Sequence, residues 1–191
     1  MVARPVLGRL TGGAATLEDV KPLYNLVTFE SMLIGYTDAV ARLEAVTGDR
    51  DPTTAYNSLF EALNWAVALD ERIGTHWTPD RETRDKPMGT KWRERLGWPA
   101  PVMAGVRFAR NRVHHQWCDA MTAERDLRGV FKNWVWVAAE DLPEGGNREG
   151  EDVYREHLQG RPIIVSLDVL TGAFYTLQGW LEPHTLRAQS G

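Results

Sequence analysis

The sequence predicts a mainly α fold, an up-and-down bundle of about four long helices with a small β element near residues 130–137. Three observations predict it. Apolar residues recur at helical spacing over four long stretches, Pro- and Gly-bearing breaks separate those stretches, and one short run has the β-branched and aromatic content of a strand. The chain has 191 residues, enough for one domain that buries roughly 70% of its unfolded surface. A hydrophobic content of 43% with eight tryptophans suits a folded globule. The expected organisation is a flexible N-terminal arm at 1–15, one helical domain at 16–183 and a flexible tail at 184–191.

The first helix follows a capping arrangement, Thr16-Leu17-Glu18-Asp19, with Pro22 tolerable only in its first turns. Leu23, Leu26, Val27, Leu33, Val40, Leu43 and Val46 keep helical spacing until Gly48. Asp51-Pro52 then places an N-cap before a proline at the first helical position. Leu59, Phe60, Leu63, Ala66, Val67 and Leu69 carry a second helix to Ile73, with Gly74 as its terminator. The short connection predicts antiparallel packing of the two.

From Thr75 to Pro87 periodicity gives way to an exposed loop rich in Pro, Asp, Arg and Lys. A third helix is expected from about Pro101 to Trp117, with Val102, Val106, Ala109, Val113 and Trp117 as its core stripe. A second stripe, Ala104, Phe108, Asn111 and His115, lies roughly opposite. Either another segment of the chain covers Phe108, or Ala104 and Phe108 mark a dimer interface. Val130 to Val137 reads as a strand that must pair with something nearby or with a partner chain. Pro143 to Gly150 reads as a turn or mobile loop, Asp152 to Gln159 as a short helix stopped by Gly160. Pro162 opens a last helix whose face is Ile163, Leu167, Leu170, Phe174, Leu177 and Leu181.

Composition narrows the function classes. The single cysteine, Cys118, excludes an intrachain disulfide and a cysteine-rich zinc site. No apolar run approaches the roughly 18 residues that span a bilayer, and Gly12 and Gly13 interrupt the N-terminus before a secretory core can form. No membrane partner is expected, and a cytoplasmic location is the simplest inference. The net charge of −4 means that polyanion binding needs a local patch. One is visible between Arg81 and Arg112, where nine Lys or Arg face three acids. It reads either as a solvated surface or as a nucleic-acid contact, with Lys91, Arg93, Arg95 and Arg112 as candidate RNA-binding residues. Tryptophans flanking this run could stack on bases, but anchoring a loop to the core is their commoner role.

Phosphate loops, dinucleotide fingerprints and paired-Cys or HExxH metal arrangements are all missing from the sequence. His114 and His115 are adjacent and so diverge on a helix, which makes them poor joint ligands for one metal. No cofactor and no metal are expected.

One stretch does combine cations with groups that move protons near neutral pH: Arg107-Phe108-Ala109-Arg110-Asn111-Arg112-Val113-His114-His115. Arg-Asn followed by His on a late helix of an α bundle resembles the HEPN family (higher eukaryotes and prokaryotes nucleotide-binding), whose mark is Arg, four to six residues, His. Four residues separate Arg110 from His115 here, and the resemblance covers roughly Leu17 to Leu181. It implies a metal-independent RNA endonuclease that works as a homodimer, of a kind common among bacterial toxins and phage-defence effectors, with an antitoxin or defence-system partner. It further implies that Arg110 holds the scissile phosphate, His115 transfers protons and Asn111 orients one of them. The chemistry is sound on its own terms. Attack by a 2′-hydroxyl needs a base, an acid for the leaving oxygen and a cation for the phosphorane charge.

The wheel pulls in another direction. Five residues subtend roughly 140° beyond a full turn, so Arg110 and His115 of one chain diverge, whereas Arg110 and His114 lie roughly 40° apart. His114 therefore stays a second candidate, as does Arg107 paired with it. A non-catalytic helical module that binds a protein or nucleic acid is the competing reading, and duplex DNA binding through the basic loop is a third.

Overall fold

A computed structural model of the chain describes residues 26–77, 97–116, 118–143 and 147–188. The expected N-terminal arm at 1–15, the start of the first helix, most of the basic loop and Trp117 lie outside the described residues. So do Lys91, Arg93 and Arg95.

The described chain is mostly helical. Its helices are α1 (Leu26–Ala45), α2 (Pro52–Trp77), α3 (Ala100–Gln116), α4 (Arg148–His157) and α5 (Ile163–Ala188). A hairpin of β1 (Met121–Arg125) and β2 (Phe131–Trp136) sits between α3 and α4. The five described α-helices thus comprise four of 17 to 26 residues and the ten-residue α4, which stands where the sequence predicts a short helix.

The α1 positions Phe29, Leu33, Tyr36, Val40 and Leu43 step by three and four and are all buried, as helical periodicity requires of a core face. Asp51 begins α2 as the sequence predicts, its Oδ1 accepting the Thr54 backbone N–H at 3.0 Å. Gly74 does not end α2, which continues to Trp77. A single glycine costs a helix interior only about 1 kcal/mol, which neighbouring turns absorb.

Helices α1 and α2 are antiparallel, with Gly35 against Trp65 near the middle and Arg42 ion-paired with Glu61 nearer the connection. At Gly35 a Cβ would lie 2.7 Å from the Trp65 ring, so the glycine sets how closely the helices approach. Alanines 55, 62 and 66 are fully buried on α2, which packs on α1 and on α3. Tyr36 joins α1 to α5: its hydroxyl donates to the Leu167 carbonyl at 2.7 Å and its ring meets Phe174 edge-on at 5.3 Å. Burial drives the Tyr36 phenol well above its usual range, against a smaller opposing effect of the Thr171 hydrogen bond.

The strand expected near 130–137 finds its partner in β1, in antiparallel register with Met121 opposite Trp136. Asp126 closes the turn, its carboxylate accepting the backbone N–H groups of Arg128 and Val130 at 2.8 Å each. Backbone hydrogen bonds of Trp136 with Gly160 and Arg161 join the hairpin to the residues just before α5, and two side-chain contacts add to them. Arg125 pairs with Asp49 in the α1–α2 connection, and the Trp136 indole donates to Ser166 Oγ of α5 at 3.1 Å.

The chain from Arg148 to Gly150, expected in a loop, is already helical, because the Asn147 side chain accepts the Gly150 N–H at 3.0 Å and caps α4 four residues early. The tail expected from 184 is helical as far as Ala188, since α5 runs on. Its predicted face is confirmed through Leu177, with Ile163, Leu167, Leu170, Phe174 and Leu177 fully buried. Gly172 and Gly179 fall on the exposed side, so they leave the packing untouched.

Candidate functional site

The candidate residues lie on the last two turns of α3, and α2 decides what each of them can do. The two helices run antiparallel, so that Arg107 meets Asp70 and Glu71, Arg110 meets Asn64, and His114 meets Phe60. Steps of three and four on α3 are matched by steps of seven, from Glu71 to Asn64, and four, from Asn64 to Phe60, on α2, as two facing helical stripes require.

Arg107 is paired with two carboxylates of α2. One terminal nitrogen donates to Asp70 Oδ2 at 2.6 Å and the other to Glu71 Oε1 at 2.9 Å. Burial disfavours the Arg107 charge, but the two carboxylates more than offset this and move its pKa upward. Asp70 is only 4% exposed, so this is an internal ion pair and Arg107 is committed to α2 rather than offered with His114.

Arg110 is held differently. Its Nε donates to Asn64 Oδ1 at 3.1 Å and one terminal nitrogen to Asn111 Oδ1 at 3.2 Å. Both acceptors are neutral amides, and among the described residues Arg110 forms no ion pair. No described carboxylate therefore offsets its charge at this half-exposed position, while Asn111 beside it is exposed.

His114 and His115 are both exposed. His114 lies parallel to Phe60, ring centroids 5.8 Å apart and planes 7° from parallel, and His115 meets His114 edge-on at 4.9 Å. Tyr56, one turn before Phe60, stacks on it at 6.4 Å and extends the column along α2. Burial, then the negative ends of Asp119 and Cys118, raise the Tyr56 phenol pKa. These contacts bring Arg110 with Asn111, and His114 with His115, onto one exposed edge of the α2–α3 pair.

Arg112 does not belong to that edge, which corrects its expected place among RNA-facing cations. It is 7% exposed, lies 4.6 Å over the Phe108 ring and donates to Gln116 Oε1 at 3.2 Å. Phe108 is covered by the same chain: it is 3% exposed and packs on Tyr154 of α4 at 5.4 Å. That burial corrects the interface alternative for Phe108, which has no ring surface left for a second subunit. Ala104 beside it is half-buried. At Gly105 a Cβ would lie 2.6 Å from Leu158 Cδ1, so α4 is pressed onto this face of α3.

Sequence reasoning overlooked Phe60 and Asn64. Phe60 was assigned to the α2 core, and only the antiparallel register brings its ring under His114. Asn64 carried one signal, an amide in the otherwise apolar middle of α2.

Among the described residues no three His, Cys, Asp or Glu side chains converge as metal ligands, and no helix is long and apolar enough to cross a membrane. Comparison of the chain with family models, curated proteins and solved structures gave no match.

Proposed function

We propose that the chain is a metal-independent RNA endonuclease of the HEPN type, acting in the cytoplasm as a homodimer. Its biological role in this reading is that of a bacterial toxin or phage-defence effector, restrained or triggered by an antitoxin or defence-system partner. The long helices are read as an up-and-down bundle, supported by the antiparallel pairing of α1 with α2 and of α2 with α3.

The observation that carries the reading is the contrast between two arginines on one helix. Arg107 is neutralised by carboxylates, whereas Arg110, half-exposed and one turn from two exposed histidines, is held among the described residues by amides. A guanidinium with no described carboxylate beside it suits a phosphodiester, and imidazole is the side chain suited to both giving and taking a proton. In the proposed reaction a His115 takes the proton of the 2′-hydroxyl, whose oxygen attacks phosphorus. The bond from phosphorus to the 5′-oxygen breaks, and that oxygen receives a proton from the His115 of the second subunit. Arg110 offsets the charge that builds on the phosphoryl oxygens, and Asn111 orients it. The products are a 2′,3′-cyclic phosphate and a 5′-hydroxyl.

The test is incubation of purified protein with a mixed RNA pool and a matched DNA pool in EDTA. The proposal expects RNA fragments with cyclic phosphate ends and intact DNA. Bound but uncut RNA would instead favour a non-catalytic binding module. That second reading has its own support in the exposed apolar side chains Ile34, Val165, Val169 and Tyr175.

A further inference from the structure

We infer that Asn64 is a positioning residue that presets Arg110 as a clamp for a phosphodiester anion, an inference that rests on the reading of Arg110 as the phosphate-binding group. Asn64 is itself fixed. Its Nδ2 donates to the Phe60 carbonyl one turn back at 2.9 Å, which fixes the rotation of the amide and aims Oδ1 outward. Arg110 Nε then donates to that oxygen at 3.1 Å, while Asn111 takes one proton of a terminal nitrogen. A guanidinium has five N–H donors, and among the described residues two are used, which leaves three for an incoming anion. Those three lie on the two terminal nitrogens, which can grip two phosphoryl oxygens side by side.

The chemistry of residue 64 matters as much as its place. A carboxylate there would pair with Arg110 as Asp70 and Glu71 pair with Arg107, and the charge would be spent inside the fold. An apolar side chain would leave the charge but release the rotamers, so that ordering must be supplied when the anion binds. The neutral amide avoids both losses. Phe60 contributes twice, through its carbonyl to Asn64 and through its ring to His114, and so registers the arginine against the histidine pair.

The experiment measures binding of a 2′-O-methyl uridine 20-mer, which lacks the attacking hydroxyl, to the full chain by fluorescence anisotropy across a salt series. Wild type, Asn64→Leu, Asn64→Asp, Arg110→Ala and the Asn64→Leu/Arg110→Ala double variant are compared after circular dichroism shows equal folding. Asn64→Leu is expected to weaken binding about tenfold at unchanged salt slope, because the charge survives. Asn64→Asp and Arg110→Ala are each expected to lower the slope by about 0.7, the share of one phosphate contact on a single strand. In the Arg110→Ala background, Asn64→Leu is expected to have no further effect. Binding unaltered in both Asn64 variants would overturn the inference, as would an Asn64→Leu loss that persists without Arg110, or no binding by wild type. Cleavage of ordinary RNA is scored separately. A wild type that binds with the expected couplings but never cuts would remove the nuclease reading and leave the role of Asn64 standing.

Discussion

The imidazole of His114 lies parallel to the Phe60 ring, 5.8 Å between centroids and 7° between planes, and so one histidine of the exposed pair packs against α2 while its neighbour meets it edge-on. Stacked aromatic pairs contribute about 0.5–1.5 kcal/mol beyond area burial. Phe60→Leu is therefore expected to destabilise the fold by about 1 kcal/mol and to free the His114 ring. In proton NMR spectra the His114 ring resonances should lose their ring-current shift, with those of His157 unchanged. His114 resonances already at random-coil positions in the wild type would contradict the stack.

Breaking the internal ion pair should cost more stability than removing the exposed cation. Arg107→Ala leaves the buried Asp70 carboxylate without its guanidinium. A fully buried pair loses about 3–5 kcal/mol in this way, and the 37% exposure of Arg107 lowers the expected cost to about 2–3 kcal/mol. Arg110→Ala should change stability by less than about 1 kcal/mol, since it removes only hydrogen bonds to amides at a half-exposed position. Urea denaturation of both variants measures the difference, and equal midpoints would refute the assignment of separate roles.

Gly105 should not tolerate a side chain. The Cβ of Gly105→Ala would lie 2.6 Å from Leu158 Cδ1, and Leu158 is fully buried at the end of α4. Overpacking of this kind costs about 1–3 kcal/mol. Adding Leu158→Ala should recover part of the loss, and purely additive thermal shifts would argue against direct contact.

The N-cap of α2 predicts a pH dependence. Thr54, through its side chain and then its backbone N–H, holds the Asp51 carboxyl below its ordinary value of 3.8. A depressed folded pKa gives stability that is fully present above the unfolded value and is lost as pH falls through the folded one. Relative to Asp51→Asn, the wild type should therefore melt higher at pH 6, with the difference shrinking below about pH 3.8. A difference that grows on acidification would reverse the sign and exclude the cap as its source.

Much of the helical framework was legible because it obeys one-dimensional rules. The α5 face from Ile163 to Leu177 and the Asp51-Pro52 start of α2 need only periodicity and capping. Helix α2 runs past Gly74 to Trp77 because a glycine stop is weak unless its residue takes positive φ. Gly160, where φ is +71°, does follow the end of α4. The candidate stretch on α3 was legible as a motif, but its division of labour was not. Nothing local distinguishes Arg107, Arg110 and Arg112. Asp70, Asn64 and Phe108 make them an ion pair with a buried carboxylate, a cation held by a neutral amide and a buried cation over an aromatic ring, and two of those partners lie on α2, some 40 residues away in sequence.

The central claim is that the exposed edge of Arg110, Asn111 and His115 cuts RNA without a metal. Its most direct test is cleavage of one RNA pool in EDTA by wild type, His115→Ala and His114→Ala, each shown to be folded and in one oligomeric state. Loss of a general acid or base typically costs 10²–10⁴-fold. The account predicts such a loss for His115→Ala, with a smaller loss for His114→Ala, and cyclic phosphate ends from the wild type. A full loss on His114→Ala with His115→Ala active would move the chemistry to the histidine stacked on Phe60. Cleavage alike in all three proteins, or in none, would contradict the claim.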